Sequence, residues 1–343
     1  MLSRVANTLY WMTRYVERAD NLARLIDVNR QFLLDSERLD SARMRAFWQP
    51  IILSTGDEDL FHSLYEEAGG NEVIRFLTDD PRNLNSITSC IALARENARA
   101  IRDQLSDELW EELNSLYLFT RSPEAGHLIA SDPARYYGNI RRAAFTFHGT
   151  AAATTPRDEN WDFMELGRHL ERADKTTRFL DIASYLPDAG QGVHSSTLHW
   201  SAILRSCGAL GAYRAAERDI TARGVVKLLV FSHTVPRSVR FCIERVDVCL
   251  HRVCGTRRGG FTNDAEREAG HLLADLSYGV ADEAFAAGLH GYLDNLQARF
   301  NAIGEAVFRS YVLMPEAVEL SQPVDPRSLS AAAAWQQQQQ QQQ

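Results

Sequence analysis

No two cysteines stand at Cys-x-x-Cys spacing, and their number is odd: Cys90, Cys207, Cys242, Cys249 and Cys254. A disulfide framework and a zinc knuckle are therefore excluded as sources of stability. Cys242 and Cys249 lie a heptad apart, share a helix face and read as small core residues. The chain also lacks any apolar run approaching the roughly 20 residues that cross a bilayer. Its start, Met1 to Asn7, has no secretory apolar stretch. The expectation is a cytoplasmic protein without a membrane segment. Basic excess is missing as well: 37 Lys and Arg face 45 Asp and Glu, for a net charge of −8. Nucleic acid, which needs a basic face to neutralise phosphates, is a poor partner for such a chain. There is no Gly-rich phosphate loop, no Gly-x-Ser-x-Gly elbow and no His-Glu-x-x-His. His194 and His199 have a spacing that suits a metal but no clear third ligand, so neither metal nor cofactor is expected.

What is present is an ordinary globular composition, 45% apolar and 24% charged over 343 residues, enough to bury a large core without staples. Apolar positions recur every three to four residues, as in Met12, Val16, Ala19, Ala23 and Ile26, or Leu109, Leu113, Leu116 and Phe119. That period is helical. Val225 to Phe231 is β-prone by composition, but it is short and has no neighbour to pair with, so it reads as a buried helix segment. Ser106-Asp107-Glu108 marks one helix start, and Thr155-Pro156-Arg157-Asp158-Glu159 marks another, with a cap, an early proline and first-turn acids. Breaks at Ser54–Asp57, Gly69–Asn71, Ser131–Pro133, Leu186–Gly192 and Gly255–Gly260 separate ten or more helices. The packed body is expected over 1–315. Residues 316–343, rich in Pro, Ala and Gln, read as a disordered tail.

Arg14-Tyr15-Val16-Glu17-Arg18-Ala19-Asp20 recurs as Arg168-His169-Leu170-Glu171-Arg172-Ala173-Asp174, with Arg24 and Asp27 echoed by Arg178 and Asp181. Phe47-Trp48-Gln49-Pro50-Ile51-Ile52 has a partner in His199-Trp200-Ser201-Ala202-Ile203-Leu204. Asp80-Pro81-Arg82 has one in Val235-Pro236-Arg237. The offsets, from Arg14 to Arg168, from Trp48 to Trp200 and from Pro81 to Pro236, are 154, 152 and 155. Matches in one order at a near-constant shift imply an internal duplication, with halves of about 1–154 and 155–315. The expected architecture is all-α: a multi-helix bundle in one domain, built from two tandem, pseudo-symmetric helical repeats.

On a helix Arg14, Glu17, Arg18, Asn21 and Arg24 share one side, opposite the apolar stripe of Met12 and Val16. Three readings stay open for these charges. They satisfy one another within the helix, Asp20 with Arg24 and Glu17 with Arg14 and Asn21. Or the two helices pack about a pseudo-twofold axis and set Glu17 against Arg172 and Glu171 against Arg18 in a partly desolvated seam. Or the arginines grip a ligand carboxylate or phosphate. The candidate residues are Arg14, Glu17, Arg18, Asp20, Arg24, Arg168, Glu171, Arg172, Asp174 and Arg178. Secondary candidates are Arg95, Glu96 and Asn97, together with Glu244 and Arg245 of a weaker third echo, Arg240 to Asp247.

The run from Leu2-Ser3-Arg4-Val5-Ala6 through Tyr10-Trp11-Met12-Thr13-Arg14 to Glu17-Arg18-Ala19-Asp20 and Arg24 resembles the amino-terminal signature of the bacterial alpha-E proteins. The likeness continues in Ala94-Arg95-Glu96-Asn97-Ala98, in Leu109-Trp110-Glu111-Glu112-Leu113-Asn114 and in Glu171-Arg172-Ala173-Asp174, covering essentially residues 1–315. The resemblance implies an all-helical cytoplasmic protein of a family of unknown function, named for its Glu-Arg motifs. It also implies genes for an ATP-grasp amide ligase and a transglutaminase-like peptidase nearby, and so these enzymes as partners. Two functions follow. One is a non-catalytic partner or scaffold for the ligase; the alternative is an enzyme of peptide modification or hydrolysis, with Glu17 or Glu171 as general base.

Overall fold

A computed structural model describes residues 3–35, 41–185 and 193–312 of the chain. The expected break at Leu186–Gly192, the side chain of His194 and the expected tail at 316–343 lie outside the described residues. Sixteen α-helices and no strand occur among the described residues. The first eight are α1 (Ser3–Asp35), α2 (Ser41–Thr55), α3 (Glu58–Leu64), α4 (Gly70–Thr78), α5 (Ile87–Ala100), α6 (Asp107–Thr120), α7 (Pro123–Ser131) and α8 (Pro133–Thr154). The second eight are α9 (Glu159–Tyr185), α10 (Val193–Ser206), α11 (Leu210–Ala216), α12 (Ala222–Phe231), α13 (Val239–Cys254), α14 (Asp264–Tyr278), α15 (Ala281–Ala286) and α16 (Leu289–Val307). The β-prone stretch lies inside α12, where Val225, Val226, Leu229 and Val230 are buried. Packing of its apolar face against the core overrides the strand propensity of its β-branched residues.

Short polar side chains set most helix starts by accepting from the exposed amides of the first turn. Ser86 does so for Ser89, Ser106 for Leu109, Ser122 for Ala125 and Ser238 for Phe241. Asp132 caps α8, whose first residue is Pro133, a position that needs no donor. At the far end of α13 Gly255 adopts the left-handed conformation, with φ of 69°. One start differs from expectation. Thr155 and Pro156 belong to the linker after α8, and Asp158 caps α9 instead, accepting from Asn160 N at 3.0 Å.

The two longest helices, α1 and α9, run through the middle of the molecule against each other. Helix α1 is flanked by α5 and α8, and α9 by α13 and α16. Met12, Val16, Ala19, Ala23 and Ile26 are buried as their spacing predicts, but the charged side of α1 is buried too. The reason is α9: it lies on the face that a surface helix would give to water. Aromatic side chains bear on this core, Trp11 among them. Tyr10, Trp48 and Trp200 are buried, and Trp110 packs against its edge.

The close approach of the two central helices has a local cause. Gly167 offers no side chain where α9 crosses the Tyr10 carbonyl, and a Cβ there would lie 2.6 Å from Thr13 Oγ1. Thr13 Oγ1 in turn donates to Met164 O across the crossing at 2.8 Å. Gly167→Ala is expected to force the helices apart and lower the unfolding free energy by about 1–3 kcal/mol, the range for overpacking a tight core. Urea unfolding measures this, and an unchanged midpoint would show that the crossing yields freely.

Candidate functional site: a crossed glutamate and arginine seam

Arg14 to Arg24 of α1 and Arg168 to Arg178 of α9 meet along the crossing. Glu17 and Glu171 are both 0% exposed. Arg172 holds Glu17 in a fork, Nε to Oε1 and Nη2 to Oε2, each at 2.8 Å. Arg18 holds Glu171 in the same way, Nε to Oε1 at 2.7 Å and Nη2 to Oε2 at 3.1 Å. Each Glu-Arg dipeptide thus exchanges partners with the other. This is the crossed arrangement, one of the three that the sequence leaves open. The intrahelical arrangement holds one turn further on, where Arg24 Nε meets Asp20 and Arg178 Nε meets Asp174, both at 2.9 Å. Arg14 does not turn to Glu17; its Nε donates to Glu171 Oε2 at 2.8 Å, because α9 presents that carboxylate at closer range. Arg168 stays 4.0 Å from Glu17 and donates to Glu165 at 3.2 Å.

Several members of the seam were not among the candidates. Arg237, from the loop before α13, donates to Asp20 at 2.5 Å and Asn21 at 2.6 Å and lies 3.1 Å from Glu17 Oε1. Its signal was present in the match of Val235-Pro236-Arg237 with Asp80-Pro81-Arg82. His148 of α8 approaches Glu17 Oε2 at 3.3 Å, and no sequence pattern announced it. Lys175 lies 3.2 Å from Asp174 and 3.7 Å from Glu171, and Asn85 accepts from Arg18 Nη1. Conversely, the secondary candidates take no part. Arg95 stacks over Trp110 and Tyr117 of α6 and pairs with the half-exposed Glu96, with Asn97 beside them on the same helix. The third echo also points elsewhere: Arg245 is exposed and lies over Phe241, Glu244 forms none of the seam's ion pairs, and Asp247 pairs with Arg258 at 3.2 Å. Its helix contributes to the seam through the loop that precedes it.

Burial alone raises a carboxyl's pKa. At Glu17 that effect is outweighed by Arg172 and Arg237, with hydrogen bonds from His148 and Arg172, and the group is held well below the usual carboxylate range. At Glu171 burial is outweighed by Arg18, Arg14 and Lys175, with the same result. Burial, reinforced by Arg168, depresses His148 to about 4. Burial also lowers Lys175, against the pull of Asp174 and Glu171. Cys242 and Cys249 are inert in this setting, since burial pushes Cys242 up to about 12 and raises Cys249 as well. Among the described residues Asp181, His290 and Asp294 have ligand atoms within 4.8 Å of one another; His290 Nδ1 meets Asp181 at 2.8 Å in a hydrogen bond on the flank of the seam helix.

An all-helical protein organised around paired Glu-Arg dipeptides is the class that this geometry defines. A family model described as "Alpha-E: A predicted alpha-helical domain with a conserved ER motif" matches residues 1–312, and the chain belongs to that family. It is similar to an uncharacterized protein of Mycobacterium bovis and one of Mycobacterium tuberculosis strain CDC 1551, each 26% identical over 321 residues, covering 87% of this chain and 35% of theirs. An uncharacterized protein of Mycobacterium tuberculosis strain H37Rv is 25% identical over the same length. The chain therefore spans about a third of the length of the curated relatives it matches. No solved structure matches it. No described helix is long and apolar enough to cross a membrane.

Glu17→Gln and Glu171→Gln each leave a buried guanidinium without its charge partner and are expected to cost about 3–5 kcal/mol of stability. Chemical unfolding measures the loss; a cost below about 1 kcal/mol, the value of a surface pair, would contradict the enclosed seam. The acid response has a defined sign. His148 binds a proton more readily unfolded, near 6.5, than folded, near 4, so stability falls as pH drops from about 6.5 towards 4. The two glutamates, depressed by folding, extend the loss below the ordinary carboxylate range. His148→Gln should flatten the upper part of that decline in unfolding curves taken at successive pH values.

Proposed function

We propose that the protein is a non-catalytic helical module that serves as partner or scaffold in an ATP-grasp amide ligase system. The observation that carries this reading is the enclosure of Glu17 and Glu171. A general base works with a pKa near the operating pH and within hydrogen-bond reach of a substrate proton. These two carboxylates are 0% exposed, are clamped by guanidinium forks and stay ionised far below neutrality. Their chemistry is that of a structural lock. The relatives add support from another direction, because the matched region is 35% of their length and so occurs there joined to further sequence, as a module is.

We also infer that Glu17-Arg18 and Glu171-Arg172 are the Glu-Arg motif of the family, and that the domain arose by doubling of one eight-helix unit. Two runs of eight helices in matching order support the doubling, as do the equivalent neighbours of α1 and α9 and the reciprocal forks between them. A transglutaminase-like peptidase is the second expected partner, on the strength of the family resemblance alone.

Co-expression with an ATP-grasp amide ligase from the same genome tests the proposal. The expected outcome is a complex that survives purification and a change in the ligase rate when the helical protein is added. Peptide modification or hydrolysis by the purified protein alone, lost in Glu17→Gln at an unchanged melting temperature, would establish the enzyme reading instead.

A further inference from the structure

The two ends of the seam are built alike but finished differently. At the Glu17 end Arg237 turns inward and fills the space beside the carboxylate. Its counterpart in the first half, Arg82, turns away: it is half exposed and pairs with Asp80 at 2.7 Å. Beside Glu171, therefore, no inward loop arginine closes the seam, and the structure has a cleft there.

That cleft has two chambers. One carries the charges and is lined by Arg14, Arg18, Lys175 and Arg178 together with Asn85 and Asn301. The other is lined by the rings of Tyr10, Trp11, Phe163, Phe300 and Phe308. Arg14, Arg18 and Asn301 face both, so the chambers adjoin at those three residues. Four cations line the charged chamber beside Asp57 and Asp174, with Glu171 behind them and Glu305 on the wall of the adjoining chamber. Arg14 is already positioned, since Tyr10 Oη accepts from it at 3.0 Å and its guanidinium lies 4.7 Å from the Trp11 ring. The side chains of Arg14, Lys175 and Arg178 keep 12–15% of their surface towards solvent, where an anion can reach them.

We propose that this cleft binds a short peptide by its carboxy terminus, with the free carboxylate among Arg14, Lys175 and Arg178 and an apolar or aromatic last side chain in the ring-lined chamber. The guanidinium and ammonium donors match a carboxylate, and their partial desolvation strengthens each charge-assisted bond. The adjoining apolar chamber supplies affinity for the side chain that the carboxylate itself lacks. The inference stands apart from the association with the ligase, because it concerns the chain on its own.

Calorimetric titration of the full-length protein with the tripeptide Ala-Ala-Phe, as free acid and as carboxy-terminal amide, tests it. The free acid is expected to bind at least about tenfold more tightly than the amide, the difference that one charge-assisted hydrogen bond makes. Lys175→Gln should erase most of that preference, while Trp11→Ala should weaken both forms alike. Asn301→Trp, placed at the junction of the chambers and outside the ion pairs, should block both without depending on how Lys175→Gln folds. Equal binding of acid and amide, no binding of either at millimolar concentration, or unaltered binding in Asn301→Trp would each overturn the proposal. None of those results bears on whether the ligase co-purifies.

Discussion

Two carboxylates with no solvent contact, each held by a guanidinium fork from the opposite helix, are the constraint around which this molecule is arranged. Removing a carboxylate and a guanidinium from water costs several kcal/mol per ion. Only near-ideal geometry and further donors recover that cost, and the protein supplies both. The forks are bidentate, and Arg237, His148 and Asn21 crowd Glu17 while Arg14 and Lys175 crowd Glu171. For those contacts to form, α1 and α9 must cross at one height and one separation. Gly167 permits the separation and the Thr13 hydroxyl fixes the height. The remaining helices then have the task of sealing a charged axis. That explains why the longest and most polar helices lie at the centre, where an ordinary bundle would place apolar ones.

Much of this is legible in the chain itself. The helical period and the Ser and Asp caps define the elements, because both depend on neighbours three or four residues away. The recurrence of Arg14 to Asp20 at Arg168 to Asp174 makes a crossed pairing conceivable from sequence, since two like helices about a pseudo-twofold axis bring each glutamate to the other's arginine. What sequence leaves open is which partner each charge takes. Arg14 suits Glu17 by spacing and finds Glu171 in space. Arg237 and His148 come from a loop and a distant helix, and no local period ties either of them to Glu17. Arg95, Glu96, Asn97, Glu244 and Arg245 show the reverse failure: the same residue types in a similar order, on helix faces turned away from the axis.

The two ends of the seam differ, and the cleft lies at one of them. A perfectly doubled seam would be closed at both ends and would offer nothing to a ligand. Here the second-half loop contributes Arg237, whereas the first-half loop keeps Arg82 on its own Asp80, and the cleft lies at that end. The buried glutamates fix cations in place, and the cations at the open end are then presented with little freedom left to lose. Preorganisation of that kind favours recognition over proton transfer.

The central claim is that Glu17 and Arg172 act as one unit across the helix crossing. A double-mutant cycle with Glu17→Gln, Arg172→Met and the double variant, read by urea unfolding at neutral pH, tests it most directly. The account predicts that the double variant loses less stability than the two single losses combined, with an interaction energy on the order of 1–3 kcal/mol. Additivity to within about 0.5 kcal/mol, the behaviour of independent sites, would contradict it.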